Sequence, residues 1–592
     1  MAKLPVDCLS EIFSYLENDI KSLHSCVLIN RLWCEAALKY LWKKPFNQII
    51  KASINSLREF PNMTYKSSFK FVNLSNTLFR CIVYNKQISS GIRNSQFGTA
   101  FNYVLFIRYL DFQTLIVVFA IWAKYIQDYL SSVDRELIAE ILERKNTRDF
   151  IKYTNNLYSE SVLIQIVENV AKLITLQIPR LESISITTSN NSKSFWNIYD
   201  NLHVEHPEVS NRCFSQIKRF EWTAGDNGVK FLTNFIRISR NIKVLKIDWD
   251  DHWFAKDDLY KNDDLLVNLI KNQNALEEFH MFFYTQNGIP KIIEGLEYQS
   301  KHLRKIVLKR NRIHDGGYIT RILNLEGLED LIIKHCWLET GERHWPVEKK
   351  LHSLVKFKFV LNDPILIIKP INYLTTTDFN DSSKLREFTY DENRFQMDFV
   401  TIAMHISTYF TNLVYLDLCI YITVPSLSEI LLSCNKLEKI IVKDRGWKQN
   451  WQSEKNENIL NIDKLMKEIN LIKLRHLELK GVFSFSAHSL EQYLKKSNPP
   501  LEVMEILGSY DFGNEHLEVL LESLNVRLQK LSIESRIGLK RTLKAKATKI
   551  IKNFKYEFIK QKKSNQQLFD INTPYPNTRS RKKLDDGGGF TE

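Results

Sequence analysis

Residues 303–313 read LRKIVLKRNRI, and residues 328–338 read LEDLIIKHCWL. The two stretches lie 25 residues apart and align position by position: Leu303 with Leu328, Ile306 with Leu331, Leu308 with Ile333, Asn311 with Cys336 and Ile313 with Leu338. Apolar residues at the fourth and sixth places, with polar ones between, are the pattern of a strand buried on one face. The Asn or Cys three places further on is expected to turn inward, where its side chain meets backbone groups that the bend would leave unpaired. Two such strands one period apart imply a chain built by stacking.

The shorter unit L-x-x-L-x-L, with other large apolar residues allowed, recurs thirteen times. The units begin at Leu181, Ile217, Ile242, Leu276, Leu303, Leu328, Leu354, Leu385, Leu413, Leu437, Leu474, Leu501 and Leu528. Their spacing runs from 24 to 37 residues, and the longer intervals read as loop insertions. Ile107, Leu110 and Phe112 form an earlier copy. Helical patterns such as Leu265, Leu266, Leu269 and Ile270 fall between the units. The unit resembles the leucine-rich repeat. That resemblance implies an α/β fold: an irregular solenoid or horseshoe with a parallel sheet on its concave side, spanning 101–540 and degenerate before 181. Residues 47–100 read as a linker or helical region.

Residues 4–46 read LPVDCLSEIFSYLENDIKSLHSCVLINRLWCEAALKYLWKKPF. Leu9, Ile12, Phe13 and Leu16 recur at helical spacing, and Asp7 and Glu11 suit a first turn preceded by Pro5. Leu23, Cys26 and Val27 suggest a second helix; Trp33, Ala37 and Leu41 suggest a third, closed by Pro45. Three short helices make a poor independent core, so part of their apolar surface is expected to meet a partner or the rest of the chain. The stretch 1–46 resembles the F-box, on Leu4-Pro5, Asp7, Leu9, Ile12-Phe13, Leu16, Leu23, Cys26, Asn30-Arg31, Trp33-Cys34 and Leu41-Trp42. The resemblance implies docking on the Skp adaptor of a cullin–RING ubiquitin ligase. Leu4, Pro5, Leu9, Ile12, Leu16, Leu23 and Trp33 would then supply the adaptor-facing or supporting surface.

Side chains alternate across a strand, so the third, fifth and seventh positions of each repeat unit face the concave side. Across the thirteen units these positions hold 11 Lys or Arg and 10 Asp or Glu. Balanced charge suits a protein partner better than a phosphate backbone, which argues against nucleic acid as the ligand of this face. Lys305, Lys309, Lys334, Lys356 and Lys358 fall on three neighbouring strands opposed there only by Asp330. They are the candidate site for an acidic or phosphorylated segment of a target protein.

From Ser535 to Glu592 the chain carries 15 Lys or Arg against 5 Asp or Glu, against a net charge of +14 for all 592 residues. Leu539, Leu543, Ala547, Ile550, Phe554 and Phe558 form an apolar stripe, which predicts a basic capping helix over 541–563. Such a helix could also meet a membrane surface or a calmodulin-like groove. Residues 564–592 read as a disordered basic tail, with Arg579, Arg581, Lys582 and Lys583 resembling a nuclear-import cluster.

Hydrophobic residues make up 44% and charged residues 25%, which excludes a mostly disordered chain. The longest uncharged apolar run, Phe112 to Ala123, falls short of the roughly 20 residues a membrane span needs. None of the 8 cysteines lies two or three residues from another, so no zinc ribbon or redox pair is expected, and the compartment is expected to be cytoplasmic and/or nuclear. His203 and His206 precede Pro207 without a third ligand, and among His335, Cys336, His344 and His352 the cysteine already has a repeat role. No phosphate-binding glycine loop, G-x-S-x-G or H-E-x-x-H occurs. Neither cofactor nor catalysis is expected. The expected function is the substrate-recognition subunit of an SCF-type ubiquitin ligase. The alternative is a repeat scaffold whose N-terminal helices only cap the solenoid.

Overall fold

The structure is a computed structural model that describes residues 4–45, 103–111, 115, 170–186, 207–224, 229–249, 260–283, 289–313, 317–338, 353–360, 384–391, 399–420, 423–444, 459–523 and 528–558. The expected linker over 47–100 and the expected tail over 564–592 lie outside these residues.

Three helices open the chain: α1 (Val6–Tyr15), α2 (Ile20–Val27) and α3 (Arg31–Leu41). The Asp19 side chain caps α2 by accepting from the Ser22 N–H at 3.1 Å. Asn30 caps α3 by accepting from the Trp33 N–H at 3.0 Å. Each cap satisfies a donor that the first helical turn leaves without an internal partner.

Among the described residues, fifteen strands follow in one sheet, neighbours in space as in sequence. The first is Tyr109–Asp111 and the last Asn553–Phe558. The middle of the sheet is the sixth strand (Lys305–Lys309), the seventh (Asp330–Lys334), the eighth (Lys356–Val360) and the ninth (Glu387–Asp391). All pair in parallel and in step: Lys305 lies beside Asp330, Asp330 beside Lys356, and Lys356 beside Glu387. The fourth and sixth positions of these units are buried, as with Ile306, Leu308, Leu331 and Ile333. Helices on the return path bury the matching stripe. Ile289–Tyr298, for example, turns Ile289, Ile292, Ile293 and Leu296 inward, and each such side chain contributes about 1.5–3 kcal/mol. One continuous core runs from Leu9 to Ile551, so the N-terminal helices and the repeat solenoid share it.

Two polar ladders are buried within that core. On the strand side, Asn311 is fully buried and donates to the Met281 carbonyl at 3.0 Å. Cys336 occupies the equivalent place, and burial pushes its thiol up to about 12. Later units use serine, with Ser535 donating to the Phe512 carbonyl at 2.8 Å. On the helix side, side chains at the helix ends collect the carbonyls that a helix C-terminus leaves free. Cys213 reaches the Thr175 carbonyl at 3.2 Å and Ser239 the Phe214 carbonyl at 2.9 Å. Gln273 donates to the Ser239 and Leu269 carbonyls at 3.0 and 2.8 Å, and Gln299 to those of Ile270 and Gln273 at 3.0 and 2.8 Å.

The end of the chain differs from the expected capping helix over 541–563. The helix stops at Ile550, and Asn553–Phe558 is the fifteenth strand, paired with Lys530–Ser535. Ile550, Phe554 and Phe558 are four residues apart, a spacing that also fits a strand because every fourth residue is an every-second residue. Ile551, Phe554 and Tyr556 complete one more L-x-x-L-x-L unit.

Candidate functional site

In the N-terminal helices the inner stripe is narrower than the helical periodicity implies. Leu9, Phe13 and Leu23 are fully buried, and the Phe13 ring meets Trp33 and Tyr40 edge-on at 5.5 and 6.5 Å. Leu16 and Trp33 are half-buried and pack on this core. Leu4, Pro5 and Ile12 are exposed, Ile12 by 44%. The seven expected adaptor residues therefore divide into outward-facing and supporting groups. Sequence reasoning missed four other exposed apolar side chains: Val6 and Tyr15 on α1, and Leu28 and Ile29 in the turn after α2, with Tyr15 83% and Leu28 75% exposed.

The helices join the sheet through Lys43. Its carbonyl accepts from the Arg108 and Tyr109 N–H groups at 3.1 and 3.2 Å. The same pairing recurs one strand later, where the Arg108 carbonyl accepts from Glu182 and Ser183 at 2.8 and 3.1 Å. Lys43 thus stands where the residue before each strand stands. Its ammonium lies between Glu17 at 3.4 Å and Glu182 at 3.6 Å, and Lys44 reaches Glu17 at 3.1 Å. Burial works against the Lys43 charge, but Tyr109, Glu182 and Glu17 outweigh it and the pKa is raised. A cleft of about 330 Å³ beside this joint is lined by Lys44, Tyr109, Asp111, Ser183, Ser185 and Arg219, among others.

On the sheet face away from the helices, most basic side chains are paired with carboxylates. Arg219 and Lys246 share Glu221 at 2.7 and 3.0 Å. Lys443 pairs with Asp417 at 3.3 Å, Lys480 with Glu478 at 2.5 Å and Lys530 with Glu505 at 2.6 Å. Two of the five candidate lysines belong to this class: Lys305 meets Asp330 at 3.1 Å and Lys356 meets Glu387 at 2.6 Å. Glu387 lies on the ninth strand, outside the three strands on which the patch was expected. Among the described residues, Lys309, Lys334 and Lys358 have no carboxylate partner. Lys309 and Lys334 are register neighbours, and Lys358 sits one strand further on. Burial and then the charges of Lys358 and Lys309 lower the Lys334 pKa.

Beside these lysines the backbone turns left-handed at three successive strand ends, at Phe283, Arg310 and His335, with φ of 56°, 57° and 56°. None is glycine, so each costs about 1 kcal/mol or more. Their N–H groups donate to the Lys309, Lys334 and Val360 carbonyls at 2.9, 2.8 and 2.9 Å, which extends the stacking beyond the strands. The Arg310 guanidinium lies 4.8 Å from the Phe283 ring centre. Burial, then Arg310, Lys309 and Lys334, lower the His335 pKa, while Asp391 opposes them.

His476, Glu478 and Glu505 bring possible ligand atoms within 4.8 Å of one another. Both carboxylates already hold lysines, so the group acts as an ion-pair network rather than a metal centre. Of the histidines weighed as metal ligands, His203, His206, His344 and His352 lie outside the described residues, and Cys336 is buried in its repeat role. Among the described residues, no helix is long and apolar enough to cross a membrane.

Residues 1–48 match the family model described as F-box-like. A comparison with curated proteins finds no match. Among solved structures, an internalin from Listeria monocytogenes aligns at 15% identity and a TM-score of 0.33, over 74% of this chain and 97% of its own. The Rad7 and Elc1 complex of yeast aligns at 12% identity and a TM-score of 0.28, over 72% of this chain and 86% of that one.

Proposed function

From an F-box-like domain at residues 1–48, we propose that this chain is the substrate-recognition subunit of an SCF-type ubiquitin ligase, with no catalysis of its own. The F-box helices dock the Skp adaptor, and through it the cullin–RING ligase, while the open face of the solenoid holds a target protein. The observation that carries the reading is the apolar surface left over when the helical core is full. Leu4, Val6, Ile12, Tyr15, Leu28 and Ile29 remain exposed although Leu9, Phe13 and Leu23 are completely buried. Apolar side chains on rigid helices are the material of a docking interface. The gain is proximity: a target held by the same body that holds the adaptor meets the ubiquitin-charged enzyme as a tethered partner. The described cysteines are all free, as suits the cytoplasm or nucleus.

The test is capture of the purified full chain by immobilised Skp adaptor. Ile12→Asp combined with Leu28→Asp is expected to weaken capture by about 100-fold, since a buried interface anchor contributes about 1–2 kcal/mol or more. Leu9→Asp is the wrong probe for this purpose, because Leu9 is fully buried and the charge would break the core. Undiminished capture by the double variant, or no capture by folded wild type, would overturn the reading.

A further inference from the structure

We propose that the fifteenth strand is a dimerisation edge, to which a second copy of this chain adds its own fifteenth strand in antiparallel. The inference goes beyond the proposed function and rests on the sheet alone.

The first argument is that one edge of the sheet is covered and the other is not. At the first strand the Lys43 carbonyl takes the Arg108 and Tyr109 N–H groups, so the N-terminal helices close that end. At the other end Asn553–Phe558 pairs in parallel with Lys530–Ser535 and, among the described residues, with nothing beyond it. That pairing runs the length of the strand without a bulge, and the strand holds no proline. Edges that avoid association are shortened, bulged, interrupted by proline or guarded by lysine, and only the last device is present, as Lys555. The Asn553 N–H donates to the Gln529 carbonyl at 3.0 Å, so the backbone groups of Asn553, Lys555 and Glu557 point to the fourteenth strand. By alternation, those of Phe554, Tyr556 and Phe558 point outward.

The second argument is self-complementarity. Phe554-Lys555-Tyr556-Glu557-Phe558 reads the same in both directions except for the sign of the charge. Antiparallel pairing centred on Tyr556 sets that residue opposite its counterpart and Phe554 opposite Phe558 twice, with about six backbone hydrogen bonds. It also sets Lys555 opposite Glu557 twice, so the guarding lysine becomes a partner. Centring the pairing on Lys555 or on Glu557 would put like charges face to face. A slip by one residue would set outward backbone groups against inward ones.

The third argument is what the strand lacks within its own chain. Lys555 and Glu557 are exposed and have no ion-pair partner among the described residues. On the fourteenth strand Lys555 lies beside Ser532, and Glu557 lies beside another carboxylate, Glu534. On the opposite face, Leu531 and Ile533 are 0% and 1% exposed, whereas their neighbours Phe554 and Tyr556 are half-buried and Phe558 is 44% exposed. A second copy supplies the apolar row and both missing charges in one register. The two sheets become one, with the N-terminal helices at its two far ends.

The experiment is sedimentation equilibrium of the full chain over a concentration series, which is expected to show monomer and dimer and nothing larger. Lys555→Glu alone, or Glu557→Lys alone, turns both attractive pairs into repulsive ones and should weaken the dimer at least about tenfold. An equal mixture of these two variants restores both attractive pairs between unlike chains and should dimerise within about threefold of wild type. Misfolded variants could not regain that mass. Lys555→Glu combined with Glu557→Lys in one chain should dimerise with itself but not with wild type. A wild type that stays monomeric at about 100 µM, where even a 10 µM dimer would be mostly formed, would overturn the proposal. So would a dimer indifferent to the single reversals, a loss that the mixture does not repair, or assemblies that keep growing past the dimer.

Discussion

Gln273 satisfies three backbone groups from inside the core. Its side-chain carbonyl accepts from the Ile242 N–H at 2.9 Å, while its amide donates to the Ser239 and Leu269 carbonyls. Gln273→Leu keeps the bulk and removes every one of these bonds. Leaving a buried donor or acceptor unsatisfied costs about 1–3 kcal/mol, so three groups at the low end give about 3 kcal/mol. The residue is 4% exposed, so water has little access to make up the loss. In a stacked array each unit touches only its neighbours, and the damage should stay near the units at Ile242 and Leu276. At about 1.4 kcal/mol per tenfold, local opening becomes roughly 100-fold more frequent. Amide hydrogen exchange read by peptide mass should show that acceleration over residues 239–249 and 269–282, with residues 503–523 unchanged. Exchange within threefold of wild type across both segments, or equal acceleration along the whole chain, would refute the reasoning.

Three further outcomes follow from the described contacts. Burial pushes the thiols of Cys213, Cys336 and Cys434 up to about 11, 12 and 12, so a thiol reagent on folded protein should modify exposed Cys8 and spare these three until the chain is unfolded. The Glu478 carboxyl is lowered from 4.5 to about 2, by His476 first, with burial opposing and Lys480 and Lys443 adding. A depressed carboxyl contributes stability above its unfolded value that is lost as pH falls toward the folded one. Glu478→Gln should therefore flatten the acid decline of the urea midpoint between about pH 4.5 and 2, and an unchanged decline would count against the ion-pair network. Ending the chain after Ile551 removes the fifteenth strand and bares the edge of Lys530–Ser535, so light scattering should report association beyond the dimer of a chain ending after Phe558.

The strand register was legible because alternation fixes the face of every residue. Ile306 and Leu308 go in, so Lys305, Val307 and Lys309 come out, and the next unit repeats the arrangement. What a lysine meets there was less legible, because the partner sits in the next unit, as Glu387 does for Lys356. The inward Asn and Cys were visible at 311 and 336, but Ser535 fills the same role with a residue too common to mark it. The glutamine ladder on the helix side left no signal, since Gln273 and Gln299 read as ordinary polar residues at helix ends. In the N-terminal helices, Leu9, Ile12, Phe13 and Leu16 share one periodic face, yet only Leu9 and Phe13 are buried. Periodicity marks a face but not its width. The fifteenth strand was hidden by a spacing common to helix and strand.

The Lys43 carbonyl gives the sheet a fixed zero mark. The N-terminal helices occupy the place of one more strand, with the same paired hydrogen bonds that join the first strand to the second. Neighbouring strands lie about 4.8 Å apart. Anything held on the sixth to eighth strands is therefore set off from the first strand by five to seven such steps, roughly 24–34 Å measured along the sheet. The solenoid is then a ruler as well as a surface. Adding or removing one whole unit before Leu303 would shift a bound segment by a single graduation of about 5 Å, while its contacts on the sixth to eighth strands stayed the same. Under the proposed ligase function, the rate of ubiquitin transfer to a given target lysine would be read against that scale, separately from affinity.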